Sequence, residues 1–380
     1  MYVFKNVMRK CLNHKNAIFA LAIIFLSFIG CIEMKRPPEK PLETWWKSYK
    51  NNFILPDGRI QRPEHDFDTV SEGQAYAMLF SVFMNDKNTF DLIFGWTEEH
   101  LSRSSKHGDH LLAWHWKDGD VADWMPASDA DGDYAFALLL ASHQWGENPY
   151  REKAVHVMSD ILKYETVRGA DNRLFLLPGV WGNEENGHLV QNPSYYSPAA
   201  FRLFYETTQD NQWLQVIETG YWILRQSGMR LDDMHGCGLV PDWCMVDARG
   251  NISTEKGRSH DYGWEAVRIP MRIGLDILWN KTEETHKALE KIYQALQNSS
   301  ADFRETKAVY CYDGKPAVEY GSLPADAMAY FAAQVLGIRA EALQTSLRNR
   351  LGEKSLVQNY YGQSLAFFPL ALEECILKRP

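Results

Sequence analysis

The sequence predicts an all-α fold, a ring of twelve helices closed as an (α/α)6 barrel. Three observations predict it. From Glu43 onward, apolar residues recur at three- and four-residue spacing. No apolar/polar alternation runs convincingly beyond five residues, so no substantial strand is expected. Short links alternate with long ones, the pattern of helical hairpins packed side by side around one core.

The expected helices cover residues 43–52, 71–85, 87–101, 131–146, 150–166, 196–207, 210–227, 262–279, 282–298, 325–336, 338–352 and 361–375. In 131–146, Ala135, Leu138, Leu139 and Ser142 mark one face. In 282–298 the set is His286, Leu289, Ile292, Tyr293 and Leu296. The links at 53–70, 102–130, 167–195, 228–261 and 299–324 are long, and each lies between one hairpin and the next. Long loops gathered at one end of a rigid scaffold are where sites usually lie.

A chain of 380 residues, 45% hydrophobic and 23% charged, has the composition of an ordinary globular protein. Aromatics are the unusual item, at 13% with 13 Trp. They serve either a Trp-rich core or a sugar-binding cleft, where flat rings cover the apolar faces of pyranoses. The formal net charge is −9. Residues 1–30 hold Lys5, Arg9, Lys10 and Lys15 and no acid, so the rest of the chain is more acidic still. Such a field repels DNA, RNA and pectate, and it suits neutral or cationic polymers.

The N-terminus reads as an export signal. Residues 17–30, AIFALAIIFLSFIG, form an apolar run of 14, against the ~20 residues of a spanning helix. The run ends in Gly30-Cys31, which resembles a bacterial lipoprotein processing site with Cys31 as the lipidated residue. An uncleaved anchor or an ordinary signal peptide are the alternatives, and all three direct the body out of the cytoplasm. Residues 1–31 are thus assigned to the signal and residues 32–42, charged and Pro-rich, to a tether. The remaining cysteines are Cys237, Cys244, Cys311 and Cys375 beside Cys11 of the signal. Cys237 and Cys244 are near enough in sequence to bridge, though pairing is not deducible. No CxxC pair or His-rich spacing suggests zinc, and no metal site is expected.

Three segments carry candidate chemistry. In SEGQAYAM, Ser71 can cap a helix with Gln74 three residues on, which places Glu72 in the first turn. An acid there favours the helix dipole, or it serves as a general acid at the lip of a cleft. In ASDADGD, Asp129, Asp131 and Asp133 alternate before a helix; the EF-hand pattern is not completed. They form a capping cluster, or a carboxylate aimed at a sugar. In SHDYGWEAVRIP, Glu265 and Arg268 share a helix face and can pair. Pro270 inside that helical pattern implies a kink or a strained start.

The strings SEGQAYAM, ASDADGDYAFALLLA, NPSYYSPAAFRLF, GLVPDW and EAVRIPMRIGLD resemble, in order, the signature segments of glycoside hydrolase family 8. The resemblance extends over residues 43–380, including YYGQSL at 360–365. It implies an (α/α)6 barrel that hydrolyses β-1,4-linked glucan, xylan, mixed-linkage glucan or chitosan with inversion. It implies Glu72 as general acid and Asp129 as the carboxylate that grips and distorts the sugar, with Asp131 helping to hold it. It also implies Trp114 and Trp116 as stacking platforms, Tyr195 near the attacking water, and Arg268 lining the site. No cofactor is implied, because two carboxylates and water suffice.

One position departs from the family pattern. Many members carry an Asp as general base where this chain reads Trp264-Glu265-Ala266-Val267-Arg268. Glu265 is a carboxylate of similar basicity, set one methylene further out. Inverting enzymes hold their carboxyl groups ~6.5–9.5 Å apart to admit water, a window wide enough to absorb the change. Asp261 is the reserve candidate. The leading expectation is an endo-β-1,4-glucanase acting on cellulose or mixed-linkage glucan, anchored to a membrane by its lipid and monomeric, with no nucleic-acid partner. A chitosanase or xylan-directed enzyme is the alternative, and a catalytically inactive carbohydrate-binding lipoprotein is the reading from another class.

Overall fold

A computed structural model describes residues 40–184, 187–299 and 303–380. The segment expected to act as an export signal, Cys31 and nearly all of the expected tether lie outside these residues. Leu42–Pro380 form one compact unit.

Thirteen α-helices occur among the described residues. They are α1 (Pro41–Phe53), α2 (Ser71–Phe83), α3 (Lys87–His100), the one-turn α4 (Ser104–His107), α5 (Ser128–Trp145), α6 (Asn148–Tyr164) and α7 (Pro198–Thr208). They continue as α8 (Gln212–Met229), α9 (Ile269–Asn280), α10 (Glu283–Asn298), α11 (Leu323–Val335), α12 (Glu341–Leu351) and α13 (Tyr360–Glu373). Apart from α4, the twelve match the expected helices in order, but the one expected from residue 262 begins at Ile269, so Glu265 and Arg268 pair across a 3-10 turn (Ala266–Arg268) and not on a helix face.

Their burial sorts them into two rings. α2, α5, α9, α11 and α13 are buried on nearly every side, which requires apolar or small residues all round. α10 and α12 bury one stripe each and turn charged faces outward. In α10 that stripe runs through Thr285, Leu289, Ile292, Tyr293 and Leu296; His286, expected on it, is exposed. Inner and outer helices alternate along the chain, and consecutive inner helices α2, α5, α7, α9, α11 and α13 are neighbours. Closure is made by aromatic rings. Phe80 of α2 lies 4.4 Å from Phe367 of α13, and Trp45 of α1 packs on both at 5.5 and 5.3 Å between centroids.

Links from an inner to the next outer helix are two to five residues long. Gly146, Gln209 and Lys281 end α5, α7 and α9 in the left-handed conformation, so the chain reverses at once. Links from an outer to the next inner helix are mostly long, and all six inner helices enter from the same end. Among the described residues, ten strands of two to four residues lie in these long links. Two of the pairings stitch one link to the next. β1 (Thr69–Val70) pairs with β2 (His115–Lys117), which pairs with β3 (Asp120–Asp123). β6 (Leu189–Gln191) pairs with β9 (Cys244–Val246), and Tyr262 bridges to Tyr310. The remaining strands, β4 (Thr166–Arg168), β5 (Leu174–Leu176), β7 (Arg230–Leu231), β8 (Met234–His235) and β10 (Ile252–Ser253), are local pairings within single links.

Several local expectations change. Ser71 is the first residue of α2 and not its cap; its N–H donates to the carbonyl of Trp114 at 3.0 Å. Gln74 does not reach back to the helix start. Its amide instead accepts from Ile60 N–H at 2.6 Å and donates to Thr97, holding the first long link against the barrel. α5 begins at Ser128, three residues before its expected start, so both Asp129 and Asp131 belong to its first turn. Pro270 opens α9 without a kink, because its missing N–H costs nothing in a first turn. Cys237, Cys244, Cys311 and Cys375 are free thiols.

Candidate active site

Arg268 organises the site. It lies in a 3-10 turn (Ala266–Arg268) that runs directly into α9, and its guanidinium is buried. Nη1 donates to Glu72 Oε2 at 2.6 Å and to Asp129 Oδ2 at 2.8 Å. Nη2 donates to Ser194 Oγ at 3.0 Å and to Glu265 Oε2. Four elements far apart in sequence therefore meet on one planar fork. Burial would lower the Arg268 pKa, but the charges of Glu265, Asp129 and Glu72 outweigh it and hold the group charged.

Glu72 is the most perturbed acid that still opens to solvent, with 18% of its side chain accessible. Burial pushes its pKa up to about 7. Arg268 pulls it down, and the charges of Asp129 and Glu265 push it up again. Near neutrality this carboxyl is shared between the protonated and ionised forms. Glu265 is more open, at 32% of its side chain, and also accepts from Asn192 Nδ2 at 3.0 Å. Asn192 and Ser194 form their own turn, Ser194 Oγ donating to Asn192 Oδ1 at 2.7 Å. Behind the cluster, Arg272 pairs with Asp133 through both Nη atoms and donates through Nε to Ser194 O at 3.1 Å.

Two sequence candidates lie elsewhere. Asp131 has no exposed surface. Its Oδ1 accepts from Leu112 N–H at 2.8 Å, so it anchors the link that carries Trp114 and does not touch a sugar. The cause is the early start of α5, which turns Asp131 away from Asp129 into the barrel wall. Burial pushes its carboxyl well above the usual carboxylate range, as it does that of the neighbouring Glu165. Asp261 does not join the Arg268 cluster. Its backbone carbonyl accepts from Asp242 N–H at 2.7 Å, and its charge is felt at Cys311.

The aromatics divide similarly. Trp114 is 36% exposed at the mouth, stacked on His115. Trp116 is half-buried, capped by the Arg59 guanidinium at 4.8 Å and edged by Trp96, and it braces the first link in place of offering a free face. Tyr195 lies under Arg268, whose guanidinium carbon is 5.2 Å from its ring centre. From Tyr195 a row of rings leads away, to Trp243 at 6.1 Å and Trp181 at 6.2 Å further on. Arg258 is seated over both Trp rings, at 4.5 and 4.2 Å from their centres. Trp264, next to Glu265, is 46% exposed, and its carbonyl accepts from Tyr361 Oη at 2.6 Å.

An acid titrating near 7 and a second carboxylate, joined through one arginine at the mouth of a twelve-helix double ring, is a glycosidase arrangement. The chain matches the sequence pattern described as Glycosyl hydrolases family 8 over residues 38–374. It belongs to glycoside hydrolase family 8.

Family 8 relatives agree. An endoglucanase of Cellulomonas uda is 34% identical over 239 residues, 62% of this chain and 64% of that protein. Endoglucanase A of Acetivibrio thermocellus is 31% identical over 257 residues, 63% of this chain and 49% of that protein. The chain thus spans about half to just under two thirds of the length of these relatives. The crystal structure of endoglucanase Cel10, a family 8 glycosyl hydrolase from Klebsiella pneumoniae, superposes with a TM-score of 0.73 at 29% identity. It covers 87% of this chain and 99% of that one. Asn192, Ser194, Trp181, Trp243 and Asp242 were not singled out from sequence. Asn192, Ser194 and Asp242 lie in NPSYYSP and GLVPDW, where an amide, a hydroxyl or an acid beside a proline was the available signal.

Proposed function

We propose that this chain is an inverting endo-β-1,4-glucanase, with Glu72 as general acid and Glu265 as general base. The observation that carries the reading is the shared Arg268. It joins Glu72, whose burial keeps a proton available near neutrality, to the more open Glu265. In the reaction Glu72 delivers its proton to the leaving glycosidic oxygen. Glu265 takes a proton from a water that attacks the anomeric carbon from the opposite face. Asp129, fixed by Arg268 and by Ala130 N–H at 2.8 Å, presents its carboxylate to the sugar at the cleavage point.

Internal cleavage needs a groove with several sugar platforms. Trp114, Trp181, Trp243 and Trp264 stand in or beside the long links, all of them between Glu72 and Glu265 in sequence. The cation of Arg258 over two of them repels the amines of chitosan locally, against the attraction that a chain of net charge −9 offers a cationic polymer, and it leaves a neutral glucan unaffected. The export signal and Cys31 support a lipid-anchored enzyme facing the periplasm or the cell surface.

The test is hydrolysis of barley β-glucan, carboxymethyl-cellulose, xylan and chitosan, with the first anomer read by proton NMR. Cutting of the glucans with an α-configured first product is expected. Activity confined to chitosan or xylan overturns the substrate, a β-configured product overturns inversion, and glucan binding without cleavage overturns the enzyme. Loss of labelled-palmitate incorporation in Cys31→Ser is expected if the anchor is lipid.

A further inference from the structure

The start of α9 has an unusual cap. Neither the 3-10 turn at Ala266–Arg268 nor α9 receives a hydrogen bond from a local capping side chain. The donors at this start would otherwise be orphans. They are met by one oxygen from a segment more than twenty residues earlier. Asp242 Oδ1 accepts from the N–H groups of Gly263 at 3.0 Å, Glu265 at 3.0 Å and Ala266 at 2.8 Å. Asp242 is buried, and its backbone is locked too, its N–H donating to Asp261 O while Trp243 N–H donates to Ser259 O.

The fit is close. A Cβ at Gly263 would sit 2.7 Å from Asp242 Oδ2, so glycine at 263 is what lets the carboxylate enter the turn. The same strand unit also reaches the end of the Glu265 side chain. Asp242 leads into β9, β9 pairs with β6 through Cys244 and Gln191, and the next residue, Asn192, donates to Glu265 Oε2. One unit thus grips Glu265 at its main chain through Asp242 and at its carboxylate through Asn192.

We infer that Asp242 is a positioning residue for the hydrolytic half of the reaction, fixing the main chain of Glu265 so that its carboxylate stays aimed at the attacking water. The inference rests on Glu265 being the base. A small loss of aim is costly in such a step, since a misplacement of about 1 Å lowers rate by about a hundredfold. Glu265 is the charged group that faces Asp242, and Tyr262 is the neighbouring phenol. Burial and the Glu265 charge push the Asp242 carboxyl up to about 6, against the pull of the three N–H groups.

The experiment compares Asp242→Ala, Asp242→Asn, Gly263→Ala and Glu265→Ala in the full chain, on soluble β-glucan and on β-cellotriosyl fluoride. Fluoride departs without a proton from the acid, so the second substrate isolates the base. Asp242→Ala is expected to lower kcat on both substrates by about tenfold to a hundredfold with KM within about twofold. Asp242→Asn keeps the accepting oxygen and is expected to restore kcat to within about fivefold, while any limb of the pH profile near 6 disappears. Gly263→Ala, which pushes the carboxylate out, is expected to copy Asp242→Ala, and the double variant to fall no further. It keeps the test alive should Asp242→Ala not fold. An inactive Glu265→Ala beside full kcat in Asp242→Ala and Gly263→Ala overturns the inference alone. So does a loss confined to glucan or to KM. Full activity in Glu265→Ala overturns the base assignment, and the inference with it.

Discussion

Glu72 and Glu265 are held by the two terminal nitrogens of a single guanidinium, Nη1 and Nη2 of Arg268, although 193 positions of sequence separate them. The Arg268 fork fixes both carboxyl groups relative to one another, and Asp129 joins it on Nη1. Changes to any of these residues are therefore expected to act on the reaction before they act on the fold.

Glu72→Gln removes the transferable proton. A fall in kcat on β-glucan of about a hundredfold to ten-thousandfold is expected. With the Glu72 pKa raised by burial to about 7, kcat/KM in the wild type is expected to decline as pH rises through about 7. The linkage has the same direction. A carboxyl raised in the folded state stabilises fully below its unfolded pKa, and that contribution is lost as pH climbs to the folded value. Melting curves are expected to show the wild type losing stability between pH 4.5 and 7 relative to Glu72→Gln.

Arg268 pulls the Glu72 pKa down from where burial and the neighbouring acids would set it. Arg268→Lys keeps a charge but loses the fork, so it cannot hold all three carboxylates. The decline of kcat/KM with pH is expected to move to higher pH in Arg268→Met, together with a large loss of kcat. An unchanged profile would mean that the arginine does not govern the acid.

Glu265→Gln is expected to lower kcat by about a hundredfold or more on β-glucan. Glu265→Asp, whose shorter side chain leaves the contact with Asn192, is expected to keep measurable turnover. Equal loss in both would show that reach, and not only the carboxylate, is set by Asn192 and Arg268.

The Trp181–Trp243 pair predicts specificity. Trp243→Ala is expected to raise KM for long glucans more than for short oligosaccharides, measured by reducing-sugar release. Arg258→Glu is expected to lower activity on carboxymethyl-cellulose by about twofold to fivefold, the scale of a solvent-exposed charge pair, while sparing the neutral barley glucan.

Arg272 and Asp133 form a buried pair that braces Ser194. Burial raises the Asp133 pKa even with the arginine present. Arg272→Met is expected to cost about 3–5 kcal/mol of stability in urea unfolding, because it strands a buried carboxyl. The double variant Arg272→Met/Asp133→Leu is expected to regain much of it.

The twelve helices were legible in the sequence because each must place apolar residues at helical spacing, and that constraint is local. Glu72, Asp129, Glu265 and Arg268 could be singled out because they stand in ordered motifs, but that they meet on one guanidinium is a tertiary fact. Asp131 was not, since a three-residue shift in the start of α5 decides whether its carboxyl faces the cleft or the wall. Trp116 failed similarly, its ring being claimed by Arg59 from another link and by Trp96 of α3. Asp242 and Asn192 stayed unnoticed because their partners lie on other strands and turns.

The sequence by itself determined the ring of helices, the alternation of short and long links, and the family, all of which follow from periodicity and motif order. The tertiary structure decided which acids share a guanidinium, which carboxyl keeps a proton near neutrality and which rings stay open. Those depend on burial and on contacts between links remote in sequence, and through-space electrostatics has no local signature.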